Sequence, residues 1–260
     1  MKTQMDFARS GRSTPAVAAD ERVSIDVVLA ELAAGRAILP VNPAHRSLKP
    51  AIVGIAFRTK VNANIGRSGD ASDDGCELGK LRVALRAKAD FVMDLSVGPH
   101  LADLRRSMLA ACPAPFGTVP IYEAIQRMRG KAEALTAEVL LSVIESQARQ
   151  GVDFMTLHAG LRRRDLPLAA RRKAGIVSRG GALLAQWMAL HGRENPLYTR
   201  WNDVMDICHA HDVTVSLGDG LRPGCLADAG DKAQFSELDT LGELVRRCRK
   251  RGVQVMVEGP

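Results

Sequence analysis

The chain has 260 residues, 46% of them hydrophobic and only 4% aromatic, with a formal net charge of +7. That length and content suit one large α/β domain packed with Ala, Leu, Val, Ile and Met. The positive balance suits anionic ligands, but the basic residues lie in scattered pieces such as Arg162-Arg163-Arg164 with no aromatic platform among them, which argues against nucleic acid as a partner. No apolar run approaches the roughly 18 residues of a membrane span. Five cysteines, odd in number and without a Cys-x-x-Cys pair or a leader peptide ahead of them, predict a reducing, cytoplasmic setting.

In chain order, residues 1–25 are polar, rich in Ser, Gly and Thr with Pro15, and read as a loose arm. Residues 26–260 read as the main domain. Ser24 is a candidate N-cap for a helix over 25–34 that Gly35 stops, and 36–50 form a proline-punctuated, extended lead-in. From Lys60 onward, seven short apolar runs alternate with helix-like stretches: 61–65, 91–95, 117–121, 154–158, 175–178, 213–217 and 253–257. Helices are predicted over 76–88, 100–111, 122–130, 136–149, 180–191, 199–210 and 237–251, with Thr136 as an N-cap. Such alternation predicts a (β/α)8 TIM-type barrel, here with seven strands and so incomplete. A doubly wound open sheet is the alternative, weakened by the lack of a dinucleotide fingerprint after the first strand.

In a barrel of this kind the working residues sit where strands end. Those positions hold Asn64, Met93 with Asp94, Tyr122, His158, Ser178-Arg179-Gly180, Asp219-Gly220-Leu221-Arg222 and Glu258. Each has a plainer use. Asn64 could cap a turn, Met93 fill core, Tyr122 pack at a helix entry, and His158 serve as a structural imidazole. Ser178-Arg179-Gly180-Gly181 is harder to dismiss, because a hydroxyl cap, free backbone N–H groups and a guanidinium at a helix start make a phosphate cradle. Val213 to Gly224 is similar: a buried strand ends in Gly218, Gly220 and Gly224 around one carboxylate and one guanidinium. Glu258 could act as a general base or as an acceptor for hydroxyls.

Seven motifs resemble, in order and spacing, the phosphomethylpyrimidine synthase family, which makes the pyrimidine of thiamine. They are Lys60-Val61-Asn62-Ala63-Asn64-Ile65-Gly66, Val92-Met93-Asp94-Leu95-Ser96, Gly117-Thr118-Val119-Pro120-Ile121-Tyr122, Leu157-His158-Ala159-Gly160, Gly175-Ile176-Val177-Ser178-Arg179-Gly180-Gly181, Ser216 through Gly224, and Val255-Met256-Val257-Glu258-Gly259-Pro260. The resemblance covers roughly residues 30–260. It implies a barrel that binds 5-aminoimidazole ribotide, and a radical carbon–carbon lyase that uses S-adenosylmethionine, a 4Fe-4S cluster and zinc, as a homodimer. By the same resemblance Asn64, Met93, Tyr122, His158, Ser178, Arg179, Gly180, Asp219, Gly220, Leu221, Arg222 and Glu258 form the substrate-binding set.

The family pattern continues past Glu-Gly-Pro through two metal-binding histidines and a Cys-x-x-Cys-x4-Cys that holds the cluster. None of these occurs in the 260 residues, so neither metal nor cluster ligands are expected here, and the chain alone is expected to be inactive. A non-catalytic ribotide-binding module, or a decayed fragment, is the alternative. The family's Ser/Thr-rich stretch after its first glycine is replaced by Arg67-Ser68-Gly69-Asp70-Ala71-Ser72-Asp73-Asp74.

Overall fold

The computed structural model describes residues 2–12, 15–68 and 73–260; the departure at Gly69-Asp70-Ala71-Ser72 lies outside the described residues. Three helices lead the chain: α1 (Gln4–Arg9), α2 (Pro15–Glu21) and α3 (Ile25–Ala33). Two short strands, β1 (Ala37–Ile38) and β2 (Val53–Gly54), then pair antiparallel, Ile38 opposite Val53. The rest alternates: β3 (Asn62–Ile65), α4 (Asp74–Arg86), β4 (Phe91–Asp94), α5 (Leu101–Ala111), β5 (Phe116–Thr118), α6 (Pro120–Arg127), α7 (Ala137–Gln150) and β6 (Phe154–Leu157). There follow α8 (Leu166–Ala169), α9 (Arg179–His191), α10 (Pro196–Thr199), α11 (Trp201–His211), β7 (Thr214–Leu217), α12 (Lys232–Arg251) and β8 (Val255–Val257).

β3 to β8 form one parallel six-stranded sheet whose spatial order is their sequence order. The order never reverses, which is the winding of a TIM-type fold and excludes the doubly wound alternative. All four residues of β4, β6 and β7 are buried, as expected for strands covered on both faces. α7 shows how a helix covers them. The Val139 N–H donates to Thr136 Oγ1, Leu140, Val143, Ile144, Gln147 and Ala148 form the buried stripe, and Gly151 ends the helix at φ 106°.

Two expectations need correction. Six strands, not seven, make up the main sheet among the described residues, because β6 pairs directly with β7, Thr156 opposite Ser216. Residues 175–178 pair with no strand; Gly175 turns at φ 64°, Val177 is 44% exposed and Ser178 is extended as the cap of α9. The apolar run read as a strand is instead the lead into α9. The N-terminal arm also departs from the polar reading. Ala8, Val17 and Ala18 pack with Val28, Leu32, Leu39 and Ile52 in a second core, a spacing hidden among Ser, Gly and Thr.

That second core covers the N-terminal ends of the strands, and three polar residues just ahead of strands hold it there. Before β6, Asp153 accepts from Asn42 N–H at 2.9 Å and Phe116 N–H at 2.7 Å, and bonds His45 Nδ1 at 2.6 Å. Before β8, Gln254 exchanges two hydrogen bonds with the Leu39 backbone, at 2.6 and 3.0 Å. Before β7, Asp212 accepts from Gln4 N–H at 2.8 Å, while Thr3 Oγ1 donates to Gly252 O at 2.9 Å. Burial pushes the carboxyls of Asp153 and Asp212 up, the latter to about 7.

The Asn42 side chain donates to Ala148 O and Val152 O and accepts from Ala44 N–H, all in a buried position. Replacing Asn42 by Ala removes the side-chain donor from Val152 O and one of the two donors to Ala148 O, which keeps the Gly151 N–H, and urea unfolding should show a loss of about 1–3 kcal/mol with an unchanged m-value.

Candidate functional site

A cavity of about 630 Å3 extends to the opposite end of the sheet, from Asn62, Phe91 and Phe154 at the strand starts to His158, Asp219 and Glu258 beyond the strand ends. Nine of the twelve residues singled out in the sequence line it: Asn64, Met93, Tyr122, His158, Ser178, Arg179, Asp219, Arg222 and Glu258. Gly180, Gly220 and Leu221 are not in the lining. A wider depression of about 990 Å3 runs along β3 and α4, edged by exposed Arg82, Val83 and Arg86, but of the twelve residues only Asn64 lines it.

His158 is the buried centre of the cavity. The ring directly follows β6, is 5% exposed, and its Nδ1 has no hydrogen-bond partner. Burial, with the positive charge of Arg222, lowers its pKa to about 4, so the imidazole is neutral at physiological pH. Glycines wall it in. A Cβ on Gly180 would lie 2.4 Å from His158 Cε1, and one on Gly218 would lie 2.8 Å from Cδ2. Gly180 therefore serves by making room for the ring.

α9 begins beside this imidazole. Ser178 Oγ accepts from Gly181 N–H at 3.2 Å as the helix cap and keeps its own O–H as a donor, and the first N–H groups of the helix point out of its positive end. A Cβ on Gly181 would sit 2.6 Å from Gly220 O. That close approach of two backbones brings α9 and the loop after β7 together. The Arg179 guanidinium lies 5.0 Å from the Tyr122 ring centroid, a cation–π arrangement, and Arg222 Nη1 pairs with Asp219 Oδ1 at 3.1 Å. Burial pushes the Tyr122 phenol up.

Glu258 is tied down by residues that the strand-end reading missed. Its Oε1 accepts from Thr156 Oγ1 at 2.8 Å and from Ser216 Oγ at 2.9 Å, two hydroxyls opposite each other in register. The signal was available: Thr156 and Ser216 are the polar members of apolar strands, and period-2 alternation puts Thr156 on the face of His158. Asn62 was missed as well; its Nδ2 donates to Asn64 Oδ1 at 2.8 Å, which leaves the Asn64 amide NH2 as the donor. Met93 both lines the cavity and joins the core. Asp94 points the other way and accepts from Ser96 N–H at 2.9 Å.

Neither a cluster nor a metal fits the described residues. No three His, Cys, Asp or Glu among them are grouped to hold a metal ion. Cys112, Cys208 and Cys248 are buried, and burial pushes their thiols up, Cys112 to about 11 and Cys248 to about 12, against the thiolate a cluster requires. Cys76 and Cys225 are exposed, on α4 and on the loop after β7. No helix among the described residues is long and apolar enough to cross a membrane.

Comparison with known proteins places the chain in context. The model of the radical SAM ThiC family matches residues 3–260. A phosphomethylpyrimidine synthase of Natronomonas pharaonis is 56% identical over 263 aligned residues, covering 100% of this chain and 55% of the relative. One from Haloarcula marismortui is 55% identical, covering 99% of this chain and 54% of its own length. Another, from Halobacterium salinarum, is 52% identical over 100% and 55%. The chain thus spans about half the length of the curated relatives it matches.

The Gly181–Gly220 approach gives a direct test. Gly181→Ala, whose methyl meets backbone that cannot yield, should lower thermal stability by about 1–3 kcal/mol. Gly79→Ala, with nothing within 4 Å of its Cβ, should leave stability unchanged or raise it by up to about 1 kcal/mol.

Proposed function

The chain belongs to the radical SAM ThiC family, and from that membership we propose that its cavity holds 5-aminoimidazole ribotide. The ribotide would be held there for the S-adenosylmethionine-dependent radical rearrangement to 4-amino-5-hydroxymethyl-2-methylpyrimidine phosphate, the pyrimidine unit of thiamine. The observation that carries this reading is the convergence of Arg179, Arg222 and the start of α9 on one cavity with a neutral imidazole at its centre.

The roles follow from the chemistry of each group. The phosphate sits against the N–H groups that open α9, with Arg179 and Arg222 supplying charge-assisted hydrogen bonds. Asp219 and Glu258 accept from ribose hydroxyls or the amino group. Glu258 is held for that task by Thr156 and Ser216, which bond only one of its oxygens. Asn64 donates through its amide NH2, and His158, being neutral, can donate from one nitrogen and accept at the other without adding charge. Met93 and Tyr122 supply apolar flanks to the sugar and base. Gly180 and Gly220 contribute shape, and Leu221 contributes by anchoring the loop that carries Asp219 and Arg222.

S-adenosylmethionine and the cluster would supply the radical. The described residues do not fit that cluster, so the part derived for this chain is to bind the ribotide, fix its orientation and exclude water. Fixing the sugar matters because a radical must meet one particular C–H bond, and a small misplacement forfeits much of the advantage of proximity.

Calorimetry with 5-aminoimidazole ribotide tests the reading. The 260-residue chain should bind it, and Arg179→Ala or Arg222→Ala should each weaken affinity by about 10- to 100-fold, the cost of one charge-assisted hydrogen bond. Reconstitution with iron and sulfide should leave the chain without a cluster. Failure to bind the ribotide, or turnover with S-adenosylmethionine by these residues alone, would sink this assignment.

A further inference from the structure

The loop after β7 carries Asp219 and Arg222 to the cavity, but what holds it in place lies behind it. On α12, a carboxylate oxygen of Glu237 accepts the Leu221 N–H at 2.6 Å, and the side chain is 2% exposed. From the segment ahead of α9, Arg172 donates Nη2 to Leu221 O at 2.6 Å and Nη1 to Arg222 O at 3.3 Å. Arg172 is itself gripped by Asp231, through bonds of 2.7 and 2.8 Å. Both peptide groups of Leu221 are therefore held by buried side chains from other elements. Between the holders lies Gly220, where a Cβ would stand 3.0 Å from Glu237 Oε1 and 3.4 Å from Gly181 Cα.

We propose that Glu237 and Arg172 are positioning residues for the anion-binding loop, acting through the Leu221 backbone to set where Asp219 and Arg222 point. Neither lines the cavity. The proposal rests on the ribotide reading for its ligand but not for its geometry.

Glu237 also makes the loop sensitive to pH. Burial pushes its carboxyl up to about 8; the Leu221 N–H opposes this, while Asp219 and Asp165 add to it. The other charged groups around it are Arg172, whose own pKa is raised, and the Asp231 and Asp228 carboxylates that face Arg172. When Glu237 ionises, a buried negative charge appears behind an anion site and next to Asp219. Affinity for an anion is thus full below about pH 8 and falls as pH rises through that value. His158, at about 4, stays neutral throughout this range, and the Tyr122 phenol is pushed up out of it.

The test is calorimetric titration of the 260-residue chain with 5-aminoimidazole ribotide between about pH 7 and 9, across the Glu237 midpoint. The unaltered chain should lose affinity several-fold over that range. Glu237→Gln keeps an acceptor for Leu221 and carries no charge; it should bind within about twofold of the unaltered chain at pH 7 and show a flat profile. Glu237→Ala should bind about tenfold or more weakly at every pH. Exchange of the Leu221 amide, followed by NMR without ligand, should speed up in Glu237→Ala and in Arg172→Lys. An unchanged Leu221 amide in these variants, or a Glu237→Gln profile that matches the unaltered one, overturns the proposal. Should Glu237→Ala not fold, Glu237→Gln and Arg172→Lys carry the same decision. No binding by the unaltered chain defeats the ribotide reading instead, and the amide exchange still decides on the clamp.

Discussion

The cavity depends on one close approach of two backbones. Gly181, on the first turn of α9, and Gly220, in the loop after β7, lie so near that a single methyl between them would meet a carbonyl oxygen at 2.6 Å. Arg179 and Arg222 ride on these two segments, so the contact is what brings two like charges to one cavity. Such a pair is costly unless its charge is answered. Part of the answer is built in, since Asp219 pairs with Arg222 and the Tyr122 ring faces Arg179. The remainder fits an anion. The same crowding explains His158: with glycines on either side it is desolvated, and with Arg222 near a protonated ring would face a like charge, so it stays neutral.

The two ends of the sheet divide the work. At the N-terminal end, polar residues placed just before strands (Asp153, Asp212 and Gln254) are consumed by the leading segment, each in hydrogen bonds to its backbone. At the C-terminal end, polar residues placed just after strands point into open volume. Polar groups that are fully paired hold the structure together, and those left with unused valence face a ligand. A chain with few aromatics needs the first kind, because its sheet is closed from below by a thin layer of Ala, Val, Ile and Leu.

Much of this was legible in the sequence because strand ends can be read off short apolar runs. Asn64, His158, Asp219 and Glu258 are each found that way, and the helix start at Ser178 is marked by its hydroxyl and glycines. The rest was hidden for physical reasons. Residues 175–178 have the apolar character of a strand, yet strand or lead-in is decided by whether a neighbour is there to pair, and β7 takes that place beside β6. The packing of Ala8, Val17 and Ala18 was hidden by polar neighbours in the sequence. Glu237 and Arg172 could not be found at all: both sit in charge-rich stretches where solvated side chains are the rule, and only the fold reveals that these two are buried.

The state of the cysteines bears on how the chain's chemistry is divided. A cluster needs thiolates, and a thiolate needs solvent, a positive neighbour or the metal itself to stabilise it. Cys112, Cys208 and Cys248 sit where burial favours the neutral thiol, acting as small apolar side chains in the core. By contrast the groups around the cavity are mostly ones whose charge does not change near neutrality: two guanidiniums and a neutral imidazole. Such a set holds its charge at neutral pH while a substrate is oriented, and the group that titrates just above it, Glu237, lies behind the loop and outside the lining. Under the proposed reading, binding and radical generation then make opposite demands on their surroundings. The first needs dry, rigid walls and the second a ligand set of ionisable sulfurs, and the described residues meet the first demand.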